Sequence, residues 1–543
     1  MALMDREIQN ASALIIDSNS TSRSLLSAQL RDLGVQQVRQ ASRVSDARVI
    51  LEHKTYDIVL CDYHFDGTEM SGQDLLDELR REHLLPYSTV FVMVTGEASY
   101  AKVAEAAEAA LDAYLIKPYT SASLADRLAH ARHRKRVLKD IFEAIEKQEF
   151  EAAAAHCLKR FNARAEFWLY AARIGAELLL RLNRHEEAHK LYDAIIEAKT
   201  VPWARLGVAR SELAAGNLVA ARRTLETLIG DIPDHADSYD VMGRVQMEQG
   251  ELEAALETYR TAAKLTPGCL LRQQRCGSLA FYAGQREESL KMMERTMAQG
   301  LRSKLFDMLS LVLIGFMRFD NKDIKGLKYA HDAMVQELER RPQSKRLQRF
   351  EAVFRGLRHL AEHKVGNALE LARQLSAEAD GEDFDLEAAS LLVGLWIRLS
   401  KLAIQLDEMG PIMSQLGLRF CTSKASSELL VSVSEDNEAV ANEFRSCHTR
   451  IFGVAETAMR HSMRGSARTG VELLIQQGES TRNAKLIDMA SLVLKRHAEK
   501  IDDAEQLAER ISELQARYVI PIASLNNRNR AAGGLALRTG APS

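Results

Sequence analysis

Four short apolar runs each end on a side chain that can do chemistry. Residues 14–16 deliver Asp17, residues 56–61 deliver Asp62, residues 90–94 deliver Thr95, and residues 113–116 deliver Lys117 with Pro118 behind it. Each run reads as a short buried strand. An aspartate at the carboxyl end of such a strand sits in the crevice where open α/β sheets place their chemistry. Two carboxylates, a hydroxyl and an amine therefore converge on one edge of one sheet. A carboxylate can serve as a nucleophile that carries a transferred group, and a lysine ammonium answers negative charge as a compact point cation. A second pattern, His185-Glu186-Glu187-Ala188-His189, has the H-E-x-x-H spacing that puts two histidines on one helix face with a glutamate base between them.

The elements that must position the first set alternate. The sequence predicts strands near 12–17, 36–41, 57–62, 89–95 and 113–117, and helices near 21–33, 43–53, 71–83, 98–110 and 121–133. Five β-α units of this length predict a doubly wound parallel five-stranded α/β sheet. The second run, Gln36-Gln37-Val38-Arg39-Gln40, is polar and belongs at a sheet edge. The helix over 71–83 carries Leu75, Leu76 and Leu79 as its apolar stripe.

Asp17, Asp62, Thr95 and Lys117-Pro118, in this order and each at a strand end, resemble the phospho-acceptor site of a response-regulator receiver (CheY-like) domain over about residues 10–133. The resemblance implies that Asp62 is the phospho-acceptor and that Asp17, Asp62 and the His64 backbone carbonyl hold Mg²⁺. It implies that Thr95 and Lys117 contact the phosphoryl group, that Lys117-Pro118 is cis, and that Thr95 and Tyr114 form the switch. Transfer to a carboxylate crowds negative charge, which a divalent ion relieves. Ser18 departs from the family, which carries an acidic pair where this chain reads Asp17-Ser18. Hard cations depend on carboxylate count, so weakened Mg²⁺ binding is expected. The loop over 63–72 runs longer than the common form. Its Asp66 and Glu69 are candidates for the missing acid, set against the plainer reading as ordinary loop carboxylates.

Composition narrows the classes. The chain has 543 residues, 46% hydrophobic and 27% charged, with a net charge of −3, which gives no bulk electrostatic case for nucleic acid or an anionic membrane. No apolar run reaches the roughly 18 residues of a membrane span. The start, Met1-Ala2-Leu3-Met4-Asp5-Arg6-Glu7, has no secretory core. Six scattered cysteines without a C-x-x-C pair suggest neither a zinc site nor a disulfide framework. A cytoplasmic protein is expected.

After residue 134 the strand signals stop. The basic run His130-Ala131-Arg132-His133-Arg134-Lys135-Arg136 reads as a helix end whose cations suit the dipole, in preference to an anion patch. Then the sequence repeats. Gly216, Gly250 and Gly284 stand 34 residues apart, as do Ala209, Gly243 and Gly277, and Ala221, Ala255 and Ser289. Leu225, Tyr259 and Met293 follow, and Pro233 precedes Pro267 by the same 34. This resembles the tetratricopeptide repeat, a helix-turn-helix unit of that period, with residues 239–267 the best match. Small residues let paired helices approach closely, and Gly250 and Pro267 mark the breaks. His185–His189 falls inside such a helix, with Ala188 and Tyr192 at repeat positions, so the zinc reading gives way to the repeat reading. Cys447-His448 reads as structural. The expected division is a receiver over 10–133, a helical-hairpin solenoid over 134–303, its degenerate continuation over 304–520, and a disordered tail over 526–543.

The functional expectation is a two-component response regulator, not an enzyme, phosphorylated on Asp62 by a sensor histidine kinase. Its repeats would bind a protein partner on their concave surface. The architecture resembles VieB-type auxiliary regulators, which restrain a kinase's phosphotransfer to another regulator. The alternatives are a pseudo-receiver scaffold that acts without phosphorylation, because of Ser18, and a transcription regulator. The latter would need a basic recognition module that residues 134–520 do not supply.

Overall fold

The computed structural model describes residues 8–65, 72, 75, 76, 79, 85–96, 112–198, 202–266, 269–301, 306–402, 406–434 and 437–518. The helix expected over 98–110, most of that over 71–83, Asp66, Glu69 and the tail from Asn526 lie outside these residues.

The strands are β1 (Ser12–Ile16), β2 (Gln37–Ala41), β3 (Ile58–Asp62), β4 (Val90–Thr95) and β5 (Ala113–Ile116). They form one parallel sheet in the order β2-β1-β3-β4-β5, with the order reversing at β1. All residues of β1, β3 and β4 are buried, because helices cover both faces of a doubly wound sheet. Alternate residues feed two cores. Leu14, Ile16, Val59, Cys61, Phe91 and Met93 pack on one face; Ala13, Ile15, Ile58, Leu60, Val92 and Val94 pack on the other. The polar β2 is mostly exposed and occupies the edge. The described helices of this unit are α1 (Ser20–Asp32), α2 (Val44–His53) and α3 (Ser121–Val137). Asn19 caps α1 by accepting from Ser22 N at 3.0 Å, and a Thr120–Ser123 capping box opens α3.

The rest of the described chain is helical. Consecutive hairpins run from Lys139–Glu146 with Phe150–Asn162 through to Lys345–Ala361 with Val365–Ala377. Each hairpin turns on one residue in the left-handed region. These are Gln148, Asn183, Gly216, Gly250, Gly284, Lys322 and His363, all with φ between 58° and 79°. The turn is the same throughout. Gly250 N donates to the Met247 carbonyl at 2.9 Å and Glu251 N to the Gln246 carbonyl at 2.8 Å, while His363 and Lys364 bond Leu360 and His359 likewise. Inside the hairpins, a Cβ at Gly243 would stand 2.7 Å from the Tyr259 ring, which is why that column needs small residues.

The later helices do not simply extend the stack. Leu309–Asp320 and Leu386–Ser400 are buried on every side along most of their length. Tyr282 Oη lies 3.4 Å from Ser390 Oγ, Ser432 Oγ donates to the Tyr282 carbonyl, and Gly394 backs onto Phe316. Helix Lys424–Val433 packs on the earlier helices Ala236–Glu248 and Leu270–Tyr282. The chain thus winds back on itself, and its own helix covers part of the inner side.

Candidate functional site

β1 is followed directly by Asp17, whose backbone N–H reaches the Ala41 carbonyl at the end of β2. Its carboxylate is buried and held on both oxygens: Oδ1 accepts from Asn19 N at 2.8 Å and Oδ2 from Ser22 Oγ at 2.6 Å. Arg23 donates to the carbonyls of Asp17 and Ser18 at 2.6 and 2.9 Å, which fixes the loop that carries Ser18. Asp62 is the last residue of β3 and is 9% exposed. Thr95 is the last residue of β4, fully buried, and its carbonyl accepts from Lys117 N at 2.7 Å. That bond anchors the loop after β5. The Lys117-Pro118 peptide there is cis.

Lys117 Nζ stands 2.8 Å from Asp62 Oδ2 and 3.3 Å from Asp17 Oδ2. Three of the four residues thus meet at one point, with Thr95 tied to them through the backbone. Burial raises the pKa of Asp62, and the Asp17 charge adds to this, while Lys117 and the His64 N–H pull it back down. Burial works against the Lys117 cation too, but its bonds to Asp62 and Asp17 outweigh it and lift its pKa. The site therefore concentrates negative charge out of water and answers it with one ammonium. His64 is exposed, its ring edge-on to Tyr63 at 4.8 Å. Tyr114 packs with the core face that holds Met93 and Cys61, and its hydroxyl is shielded from solvent. By strand alternation Thr95 points to that same face. Gly72 closes over β3: its N–H bonds the Tyr63 carbonyl, and a Cβ there would collide with the Asp62 carbonyl oxygen.

Both Asp17 and Asp62 direct an oxygen at a single point that a cation already occupies, and hard oxygen donors of this kind suit Mg²⁺. Among the described residues no group of three or more His, Cys, Asp or Glu side chains is placed to hold a metal. With Ser18 in place of an acid, further ligands would come from backbone and water.

Sequence reasoning missed Tyr119. Burial and the charges of Asp17 and Asp62 push its phenol up to about 12, which places it beside the acidic pocket. It missed Ser22 and Arg23 as well, although Asn19 ahead of a helix is a readable cap signal. Elsewhere, His189 pairs with Asp193 at 2.9 Å. Burial lowers the pKa of His185. His448 shares a 2.8 Å hydrogen bond with Ser427, and Cys447 is buried.

The basic run proves to be a junction. Lys135 is buried; its Nζ donates to the Tyr87 carbonyl at 2.6 Å and pairs with Asp112 at 2.8 Å. Arg134 donates to the Asp112 carbonyl at 2.8 Å and stacks on Tyr170 of the first repeats. Tyr87 N donates to Glu146 at 2.6 Å, and its ring is parallel to Phe142. Arg134 and Lys135 are thus committed to partners across this junction.

A family model described as the response regulator receiver domain matches residues 13–129. Chemotaxis protein CheY-3 of Vibrio cholerae is 35% identical over 120 residues, covering 22% of this chain and 90% of that protein. Chemotaxis protein CheY of Pseudomonas aeruginosa is 34% identical over 115 residues, covering 21% and 90%. Among solved structures, Vibrio cholerae CheY4 aligns at 23% identity over 22% of this chain and 98% of its own, with a TM-score of 0.21. A tetratricopeptide repeat protein of Parabacteroides merdae aligns at 12% identity over 44% and 91%, with a TM-score of 0.31.

Proposed function

Through residues 13–129 the chain belongs to the response-regulator receiver family, and from that premise we propose a phosphorylation-gated adaptor. In this reading Asp62 takes a phosphoryl group from a sensor histidine kinase, and the helical repeats carry the outcome to a protein partner. The observation that carries it is the Lys117 ammonium bridging Asp17 and Asp62 at the carboxyl edge of the sheet.

An Asp62 oxygen forms the new bond to phosphorus as the donor's nitrogen–phosphorus bond breaks. In this reading Lys117 would follow the charge from carboxylate to phosphoryl oxygen, and the Thr95 hydroxyl would donate to another. Receiver domains generally bind Mg²⁺ at this acidic edge; here Asp17, Asp62 and the His64 carbonyl would hold it, and it would offset the crowded charge. Thr95 and Tyr114, on one face, are proposed as the switch. Receivers and tetratricopeptide-type repeats are typically signalling and scaffold modules, and we assign no enzymatic output. The proposed division is the receiver over 10–133, repeats over 134–303 and their continuation over 304–520. No described helix is long and apolar enough to cross a membrane, and the kinase reaction proposed here places the protein in the cytoplasm. Ser18 favours one competing reading, a pseudo-receiver scaffold that signals without phosphorylation.

The test is labelling with acetyl phosphate and Mg²⁺, read by mass spectrometry. Wild type should be modified at Asp62, and Asp62→Asn should not. Absence of labelling at any Mg²⁺ level would establish the pseudo-receiver; labelling retained in Asp62→Asn would move the acceptor elsewhere. A parallel pull-down compares wild type with Gly243→Leu, which overpacks one hairpin. Undiminished partner capture by that variant would remove the repeats as the binding module.

A further inference from the structure

The fold-back of the later helices closes on one buried acid. Helix Leu386–Ser400 carries Glu387 in its first turn, and that side chain is buried. An acid suits a helix start, but this one has no water to face. Its partner is Arg346 on helix Lys345–Ala361: Nη2 donates to Oε2 at 2.7 Å, and Nε donates to Oε1. The same Nη2 also donates to Asp307 Oδ1 at 2.8 Å, just ahead of helix Leu309–Asp320. Glu387 therefore shares its guanidinium with a second carboxylate, and among the described residues it pairs with no other cation.

The surrounding elements send no second cation to it. On its own helix, Asp385 caps the first turn by accepting from Ala388 N at 2.9 Å. Helix Leu270–Tyr282 contributes the Tyr282 hydroxyl, 3.4 Å from Ser390 Oγ, and Gln274, which accepts from Asp307 N at 2.6 Å. Helix Lys424–Val433 contributes the neutral Ser432, which donates to the Tyr282 carbonyl. The cations of these and the neighbouring helices are engaged elsewhere. Arg286 lies over Phe281, Arg318 pairs with Asp323, Arg349 with Glu378 and Asp383, Arg373 with Glu408 and Arg398 with Asp320. Arg419 donates to the Ala379 and Gly381 carbonyls. Burial pushes the Glu387 carboxyl up to about 7; Arg346 pulls it down, while Asp307 and Asp385 add to the rise. A buried carboxyl whose cation is shared keeps its proton well above the pH at which a free glutamate loses it.

We propose that Glu387, set against Arg346 and Asp307, is a proton-operated latch on the fold-back. Protonated, Glu387 leaves Arg346 to Asp307 and seats helix Leu386–Ser400 firmly. Ionised, Glu387 and Asp307 compete for one guanidinium out of water, and the helix is held less firmly. A carboxyl raised on folding lends stability while it keeps its proton. That stability is complete below the free-glutamate value of about 4.3. It is lost as pH rises to the folded value of about 7. Ser390 and Ser432 tie Tyr282 into the same corner, so helix Lys424–Val433 loosens together with Leu386–Ser400. The latch needs neither phosphorylation nor a partner, and so stands apart from the adaptor reading.

The test is amide hydrogen exchange on the full chain, read by mass spectrometry on peptides within 386–400 and 424–433 and corrected for intrinsic rates. From about pH 5 the opening equilibrium of wild type should rise about tenfold per pH unit, then level off above about pH 7. Glu387→Gln cannot ionise; it should lose this rise and stay as protected as wild type is at about pH 5. Asp307→Asn gives Arg346 to Glu387 alone, so Glu387 ionises lower and the rise should end about one pH unit earlier or more. A Glu387→Gln chain that keeps the wild-type rise overturns the proposal. So does an Asp307→Asn chain whose rise ends where that of wild type ends. If Glu387→Gln opens freely at every pH, the ion pair with Arg346 holds the helix and the proton does not, which also overturns it.

Discussion

Ser18 stands beside Asp17 where the resemblance calls for a second acid, and its loop is held by Arg23. Adding a carboxylate there supplies one more charged oxygen to a site that has two. Ser18→Asp should therefore tighten Mg²⁺ binding, by several-fold or more in a calorimetric titration. Unchanged affinity would mean that position 18 does not face the pocket. Asp62 permits a second prediction. Its folded pKa is raised by burial first and by Asp17 next. A carboxyl raised on folding adds stability while protonated, and that stability is lost as pH rises through the folded value. Metal-free wild type should therefore lose melting temperature relative to Asp62→Asn as pH goes from about 4 to neutrality. A gap between the two melts that stays constant with pH would contradict this.

At the scale of elements, the repeated hairpin turn is the unit that builds the helical part. Glycine fills its left-handed position at 216, 250 and 284, but Lys322 and His363 adopt the same φ of 58° with a Cβ. Left-handed backbone costs an L-residue about 1–2 kcal/mol, partly offset by the freedom glycine loses on folding. His363→Gly should raise stability by up to about 1 kcal/mol, whereas Gly250→Ala should lower it by about 1 kcal/mol or more, since its Cβ also meets the Lys424 side chain. Thermal melts of the two variants moving the same way would refute this account. The same turn explains where the period was readable. Three glycines at a spacing of 34 announce themselves, while Gln148 and Lys322 carry no left-handed signal and Asn183 and His363 only a weak one. The later hairpins also lengthen, so the interval itself drifts.

At the scale of the molecule, the receiver meets the repeats through the edge of the sheet opposite Asp62. Tyr87 and Asp112 lie at the amino ends of β4 and β5, and α3 brings Arg134 and Lys135 down to them. The length of β4 separates this junction from the acceptor edge by about 17 Å. Asp112 is the hub. Its carboxylate takes Phe91 N at 3.0 Å, Lys135 at 2.8 Å and Arg134 at 3.3 Å. Removing one partner from a buried pair costs about 3–5 kcal/mol. Lys135→Met should keep acetyl-phosphate labelling of Asp62 but loosen the two parts. Limited proteolysis over residues 133–147 should then speed up, and amide exchange around Thr89 and Phe142 should rise. Cleavage and exchange equal to wild type would mean that Lys135 does not hold the junction.

Local chemistry explains what was legible beforehand. The β-α alternation, the polar edge strand β2, the strand ends carrying Asp17, Asp62, Thr95 and Lys117, and the 34-residue hairpins all follow from periodicity, turn residues and the short reach of one strand. Those properties are written in neighbouring residues. The tertiary structure alone decided the rest, since contacts across long separations leave no local pattern. It seated Tyr119 by the acidic pocket. It joined Tyr282 to Ser390 and Ser432, so the later helices fold back instead of extending a plain solenoid. It also drew Arg134 and Lys135 of the basic helix end into a junction with the repeats, because Asp112, Tyr87 and Tyr170 come from three separate segments that only packing brings together.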